Sequence, residues 1–387
     1  MRLIKRIAGV VAIGALAGAA HAAEPGVTAT EIRVGEVLPL TGPASFAGEA
    51  HYLGTKIAYA EANAAGGVAG RKIVAVTEDD GYVPARGFQA AQKLLAEGVF
   101  AITGTSSTSF LNSVLPILDE QKVLTLVTIN PAEQAYNPVK KSIFVVGTDY
   151  SNAIHAGMKY AVEKLGKKDA RFGLIYQDDD FGANNKLGYE RALKEFGLKT
   201  VVEIPYKRGQ KDFSAEMLRV QSEKVDFLVS GGIIAENVAI LKEAKKLGMK
   251  DLRVTTVWTA HLPIVQQLAG DAGDGYYTAD YTADLSDSEA APFVAIAKKY
   301  LSADEMKKVN RYTMASYSGA SALIQSIRSC EKDVTRACVI AQLESGRQFS
   351  VNGAMAPFGF SPTKHVSDSP IHVLVSDTKN ARFVRAP

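Results

Sequence analysis

Short apolar runs alternate with amphipathic stretches along most of the chain. The runs EIRVGEVLPL, KIVAVTED and VFAITG are rich in β-branched residues and predict strands. Between and after them, apolar positions recur at helical spacing near residues 47–63, 84–97 and 108–120. Strands that alternate with helices favour parallel sheets covered by helices on both faces, so the pattern predicts an α/β fold.

The alternation continues through VLTLVTI, IFVVGT, RFGLIYQ, TVVEIPY, VDFLVSGG and RVTTVW, which is more strands than one compact sheet ordinarily holds. We therefore expect two Rossmann-like lobes. Because no Pro-rich or Ser-rich linker separates them, the chain is expected to cross between the lobes more than once and to form a multi-strand hinge, with a ligand cleft between the lobes. We assign residues 29–146 with 279–350 to lobe 1, and residues 147–278 with 351–387 to lobe 2.

The first 22 residues have the pattern of a secretory signal peptide. Arg2, Lys5 and Arg6 precede an apolar stretch, and a small-residue A-H-A ending follows it. The apolar stretch is shorter than the ~20 residues that a membrane-spanning helix needs. We expect cleavage after Ala22 and export to a Gram-negative periplasm.

Charge and composition narrow the possible partners. The sequence has 44 Lys and Arg residues and 41 Asp and Glu residues. The predicted signal peptide contains three of the basic residues and no acidic residue, so the rest of the chain carries equal numbers of both. A neutral chain without a basic tract argues against nucleic acid or an anionic membrane surface as the main partner. Its two cysteines, Cys330 and Cys338, stand in SCEKDVTRAC. In an oxidising compartment this spacing favours a disulfide, whereas a metal site would need further ligands at regular spacing.

The stretch GTSSTSF at residues 104–110 places five hydroxyl side chains between an apolar strand and a helix. It lacks the Gly-x-Ser-x-Gly spacing of a nucleophile elbow and the Gly-Lys-Ser/Thr of a phosphate loop. Free N–H groups at a helix N-terminus favour an anion, and hydroxyls add directed donors. One of these hydroxyls could also cap the helix, and capping is compatible with ligand binding.

Other polar clusters do not form a catalytic set. The EDDG and DDD stretches lack the pattern of a calcium loop, and AAGGVAG lacks a complete dinucleotide-binding motif. We therefore predict no metal and no cofactor. An anion-binding cup in an exported two-lobed chain without a nucleophile and base pair favours binding over catalysis, so we expect that the protein is not an enzyme.

The chain resembles the periplasmic substrate-binding proteins of ABC transporters that have the type I fold and belong to the branched-chain amino acid group. The most specific stretch is IRVGEVLPLTGPASFAGEAHYLGTKIAYAEANAAGGVAGRKIVAVTEDDG, and LAGDAGDGYY supports it. The resemblance runs from about residue 30 to the C-terminus. It implies a bilobed clamp that closes on a ligand and then docks on a membrane permease.

The resemblance also implies a ligand site. Thr108 takes the place of the hydroxyl that binds the ligand's carboxylate, with Ser106 and Ser107 beside it. Phe46 and Phe181 stand at or next to positions where the family often has an aromatic side chain. The remaining positions carried over are Ile233, in SGGIIAEN, and Thr128 and Asn130, in VTINPAEQAY.

Two departures from the family pattern bear on the ligand. VTINPAEQAY replaces the family's Ser-Pro-x-Ala-Thr, which holds the α-ammonium and carboxylate of an amino acid. Trp258 stands at or near the position of the acid that pairs with the ammonium, and no acid lies between Val254 and Gly270. A buried ammonium without a counter-charge costs several kcal/mol. The departures favour a small carboxylate with an apolar or aromatic body.

Two alternatives stay open. The ligand could be a branched-chain amino acid whose ammonium is held by Asp149, Asn130 or carbonyl groups. The protein could also be a periplasmic sensor subunit that presents its ligand to a receptor and not to a permease. In each case we expect a monomer.

Overall fold

The computed structural model describes residues 24–386. The predicted signal peptide, residues 1–22, lies outside them. No helix in the described range is long and apolar enough to cross a membrane.

The first sheet has five parallel strands, all from the N-terminal part of the chain. They are β1 (Glu31–Leu38), β2 (Lys72–Asp79), β3 (Ala101–Gly104), β4 (Leu124–Val127) and β5 (Ile143–Val145). Their order is β2-β1-β3-β4-β5. The helices that connect them are α1 (Ser45–Ala64), α2 (Pro84–Ala96) and α3 (Thr108–Glu120).

The second sheet has seven strands. They are β6 (Arg171–Gln177), β7 (Lys199–Tyr206), β8 (Phe227–Gly231), β9 (Arg253–Val257), β10 (Tyr277–Asp280), β11 (His372–Asp377) and β12 (Arg382–Arg385). Their order is β12-β11-β10-β9-β8-β6-β7. The pairs β10–β11 and β11–β12 are antiparallel, and the other neighbouring strands are parallel. The helices among the parallel strands are α4 (Tyr150–Glu163), α5 (Asp180–Phe196), α6 (Ser214–Ser222), α7 (Ala235–Lys246) and α8 (Pro263–Ala269).

After β10 the chain returns to the first sheet. The helices that follow are α9 (Ala291–Tyr300), α10 (Ala303–Met306), α11 (Arg311–Ser329) and α12 (Arg336–Leu343). Helix α11 packs closely on α1 at Gly54, where a Cβ atom would lie 2.1 Å from Ser316 Oγ. Only glycine permits this approach of the two helices. The chain then crosses again to reach β11.

The crossings bring both lobes together at one place. Val145, at the end of β5, forms an isolated bridge with Val366, on the segment that leads to β11. Gly147 has φ +89°, and a Cβ there would lie 2.2 Å from the ring of Tyr281, which follows β10. The two-sheet α/β fold predicted from the sequence is confirmed, while the boundaries of the two lobes stay a prediction.

Candidate functional site

A narrow cavity lies between the two sheets, where the carboxyl ends of their parallel strands face each other. Its lining residues are Ala44, Phe46, Ala47, Tyr82, Ser106, Ser107, Thr108, Ile129, Asn130, Tyr150, Phe181, Ile233, Thr259 and Tyr312. The open volume between them is about 30 Å³, which is room for about two water molecules. A ligand of amino acid size can therefore enter only if the lobes separate or side chains rotate.

The floor of the cavity on the first lobe is the turn from β3 to α3. Ser107 is the N-cap of α3, and its Oγ accepts a hydrogen bond of 3.2 Å from the backbone N–H of Phe110. Thr108 is the first helical residue and is 3% exposed. The N–H groups of a first helical turn have no partner within the helix, and together with these hydroxyls they form a cup of hydrogen-bond donors.

Asn130 adds a further donor to this cup. Its Oδ1 accepts a hydrogen bond of 2.5 Å from Thr105 Oγ1, which fixes the amide. Its Nδ2 is buried and has no partner among residues 24–386. An unpaired buried N–H group is costly, so this position favours a ligand that accepts a hydrogen bond.

Five aromatic rings form a large part of the wall, together with alanine and isoleucine side chains. Phe46 and Tyr312 meet edge to face with centroids 6.0 Å apart, and so do Tyr150 and Phe181 at 4.8 Å. Burial raises the pKa of Tyr82 and Tyr150 well above that of an exposed phenol, so both keep their proton at neutral pH. In the part of the chain that the structure describes, no acidic or basic side chain lines this cavity.

The chain matches the family profile described as "Periplasmic binding protein" over residues 31–381. The chain belongs to the periplasmic binding protein family. Among curated relatives, the leucine-specific-binding protein of Salmonella typhimurium is 26% identical over 358 residues, which is 91% of this chain and 90% of that protein. This membership confirms the family that the sequence predicted.

Solved structures of the family have the same fold. A fatty acid ABC transporter substrate-binding protein from Thermomonospora curvata superposes with a TM-score of 0.81 at 25% identity, covering 94% of this chain and 93% of that one. A solute-binding protein from R. palustris in complex with 4-hydroxybenzoate has a TM-score of 0.79 at 18% identity, covering 92% and 95%.

The structure brings seven of the ten predicted site residues to the cavity. They are Phe46, Ser106, Ser107, Thr108, Asn130, Phe181 and Ile233. Thr128 lies below the surface of the cavity, where its Oγ1 is 3.2 Å from His51 Nδ1. Its side chain therefore holds the first lobe together and does not reach the open space.

Asp149 does not line the cavity either. It is the N-cap of α4, and its carboxylate accepts hydrogen bonds from the backbone N–H and the side-chain amide of Asn152, from Ser151 Oγ and from the hydroxyl of Tyr136. These internal donors occupy the carboxylate, which corrects the expectation that it could hold a ligand's ammonium.

Trp258 lies one layer behind the wall. It has no exposed surface and stacks on Tyr150 with centroids 4.9 Å apart, while Tyr281 meets it edge to face at 5.3 Å. Trp258, which stands at or near the position of the family's acid, therefore packs behind the wall and does not line the cavity. The chain forms a short 3-10 turn at Trp258–Ala260, and Thr259 is the residue of that turn that reaches the cavity.

Sequence reasoning missed four polar or aromatic wall residues, which are Tyr82, Tyr150, Thr259 and Tyr312. Tyr82 directly follows EDDG, a stretch with no predicted ligand role, while Tyr150 and Thr259 directly follow the named positions Asp149 and Trp258. Tyr312 comes from α11, far along the chain, and no local motif marks it.

A charged network lies behind Trp258, where β10 ends. Arg311 donates two hydrogen bonds of 2.9 Å to the carboxylate of Asp280. His261 Nδ1 is 2.6 Å from Asp280 and its Nε2 is 3.2 Å from Asp284. Burial opposes the charged imidazole, but the two carboxylates outweigh it and raise the pKa of His261 to about 9. The network ties β10 of the second sheet to α11, which packs on the first lobe.

Proposed function

We propose that this protein is the periplasmic solute-binding component of an ABC importer, and that its ligand is a small carboxylate with an apolar or aromatic body. One observation carries the proposal. The cavity joins a cup of N–H and hydroxyl donors to a wall of five aromatic rings, without an acidic side chain among the described residues that line it.

The donor cup favours the carboxylate end of such a ligand. Thr108, Ser107 and the first turn of α3 supply hydroxyl and N–H donors, and Asn130 Nδ2 adds a buried donor without a partner among the described residues. Hydrogen bonds to a charged group contribute roughly 1.5 to 3 kcal/mol each. The aromatic wall then contacts the body of the ligand, where ring pairs add about 0.5 to 1.5 kcal/mol beyond area burial.

A branched-chain amino acid is the second candidate. The leucine-specific relative favours it, and the faces of the aromatic rings can attract an ammonium. Such a cation–π contact contributes about 0.5 to 2 kcal/mol, which only partly replaces an ion pair. Since Asp149 is occupied by internal hydrogen bonds, we expect that the ligand lacks an ammonium.

The discriminating experiment compares one carbon skeleton with and without its amino group. We expect 4-methylpentanoate to bind more tightly than leucine, and 3-phenylpropionate more tightly than phenylalanine, in calorimetric titrations. A ligand that binds only the folded state also raises the melting temperature, so thermal shifts give an independent measure. Tight binding of leucine or phenylalanine without binding of their deamino analogues would establish the amino acid candidate.

The family assignment extends the proposal to cellular context. We infer that the protein acts in the periplasm as a monomer, with inner-membrane permease subunits as its partners, and that it catalyses no reaction. Ligand-dependent stimulation of transport by the reconstituted permease is the expected result. A stable complex with a sensor receptor in place of a permease would support the sensor function instead.

A further inference from the structure

Asp80 lies directly behind the donor cup and is not part of the cavity lining. It follows β2 and has no exposed surface. Its Oδ1 accepts hydrogen bonds from Ser106 Oγ at 2.6 Å and from the backbone N–H of Tyr82 at 2.9 Å. Its Oδ2 is buried and finds no partner among the described residues. Ser106 therefore stands between a buried carboxylate on one side and the cavity on the other.

A serine hydroxyl has one hydrogen to donate. While Asp80 is ionised, that hydrogen is committed to Asp80 Oδ1, and Ser106 presents only lone pairs to the cavity. A carboxylate ligand in the cup would then meet lone pairs at Ser106 and a second negative charge behind it. If Asp80 holds a proton, its own O–H donates to Ser106 Oγ, and the serine hydrogen is free to turn toward the ligand.

We propose that a carboxylate ligand enters the cup together with one proton, which Asp80 takes from solvent and releases when the ligand leaves. This inference rests on the proposed function, because it requires a carboxylate in the cup. It applies equally to a deamino acid and to an amino acid, since both present a carboxylate to Ser106.

The surroundings of Asp80 leave its charge poorly compensated. Two charged groups act on it, Asp79 at the end of β2 and Arg86 on α2. Arg86 is drawn toward Asp79, with 3.9 Å between Nη2 and Oδ2, and its side chain is half exposed. On the side of α2, Asp80 Oδ2 packs against Gly87, and the ring of Phe110 from α3 packs against the same glycine. Burial, the largest influence, raises the pKa of Asp80, while the hydrogen bonds from Ser106 and Tyr82 oppose that rise.

The test measures affinity and proton uptake together. Calorimetric titrations with 4-methylpentanoate and with leucine run from about pH 6 to about pH 8.5, where the carboxyl group of each probe is ionised. Repeating them in two buffers of different ionisation heat gives the number of protons taken up. Above the pKa of Asp80 in the free protein, we expect affinity to fall about tenfold per pH unit and uptake to approach about one proton per ligand.

Two variants identify the group that takes the proton. Asp80→Asn replaces the charged acceptor with a neutral amide, so its affinity should be independent of pH and its proton uptake close to zero. Glu36→Gln is the matched control, because Glu36 is also a buried carboxylate of the first lobe but does not line the cavity. The control should keep the pH dependence and the proton uptake of the wild type.

The outcomes separate this inference from the proposed function. If a probe binds with the same affinity across the pH range and without proton uptake, the inference is wrong while carboxylate binding stands. If the Glu36→Gln control loses the uptake, the proton belongs to Glu36 and the inference is again wrong. If neither probe binds at any pH, the proposed function fails and the inference fails with it. If Asp80→Asn folds and keeps the pH dependence and the proton uptake of the wild type, another group takes the proton and the inference is wrong. If this variant does not fold, a wild-type protein that takes up no proton on binding still refutes the inference.

Discussion

Glu36 is a buried carboxylate whose replacement by glutamine should change how the stability of the protein depends on pH. It lies on β1 with no exposed surface, and its Oε2 accepts a hydrogen bond of 2.9 Å from Thr77 Oγ1. Its Oε1 has no partner among the described residues. Burial raises its pKa from 4.5 to about 7, although nearby threonine hydroxyls oppose the rise. The change to test is Glu36→Gln, which keeps the shape and removes the charge.

The sign and size of the effect follow from this pKa. In the unfolded chain Glu36 loses its proton near pH 4.5, whereas the folded protein retains it up to about pH 7. The contribution of this proton to stability is complete below the pKa that Glu36 has in the unfolded chain. It is lost as the pH rises through the pKa that Glu36 has in the folded protein. At about 1.4 kcal/mol per pKa unit, the whole loss is on the order of 3 kcal/mol. Glutamine does not titrate, so the stability of the Glu36→Gln variant should not show this loss.

Urea unfolding at about pH 5 and about pH 8 measures the difference. The free energy of unfolding of Glu36→Gln minus that of the wild type should be about 2 to 3 kcal/mol larger at the higher pH. Glu31→Gln is a control on the same strand, because Glu31 is exposed. An offset between Glu36→Gln and wild type that is equal at both pH values would refute the reasoning.

Three further outcomes are expected. Thr108→Ala should weaken carboxylate binding about ten- to hundredfold without loss of fold, since it removes one hydrogen bond to a charge; calorimetry on the folded variant checks this. The structure contains the predicted disulfide, and replacing Cys330 and Cys338 by serine should lower the unfolding free energy by about 2 to 3 kcal/mol on the loop-length relation. Arg208→Met should speed ligand release about two- to fivefold in stopped-flow experiments, because Arg208 donates from the second lobe to the carbonyl of Tyr82 at 3.2 Å and is partly exposed.

The parts of the fold and site that the sequence predicted are encoded locally. The spacing of apolar residues predicts strands and helices because it depends only on the residues of the element concerned. The donor cup was predictable for the same reason, since Ser106, Ser107 and Thr108 are consecutive and stand where a strand gives way to a helix. A strand end followed by hydroxyls places those groups at the edge where parallel strands present ligand sites.

The residues that the sequence misplaced depend on competition or on distance. Asp149 is an acidic residue at the start of a helix, where such residues favour a capping role. Its carboxylate caps α4 and is therefore not available to a ligand. Trp258 and Thr259 differ by one position in a turn, where side-chain direction changes with each residue. Tyr312 reaches the cavity only because α11 packs on α1, a contact between segments more than 240 residues apart that no local pattern reports.

The same long-range packing bears on how the cavity opens and closes. Hydrogen bonds of polar side chains join the walls of the cleft, such as Asn112 Nδ2 to Asp180 Oδ1 at 3.0 Å and Arg208 to the carbonyl of Tyr82. Each of these two bonds includes a charged side chain, and such a bond contributes roughly 1.5 to 3 kcal/mol. Water can replace both bonds when the lobes separate. A ligand that contacts the α3 cup and the rings of Tyr150 and Phe181 adds its interactions only when both lobes surround it. The ligand therefore binds the closed form more tightly than the open form, and this difference in affinity shifts the equilibrium between open and closed lobes toward closure.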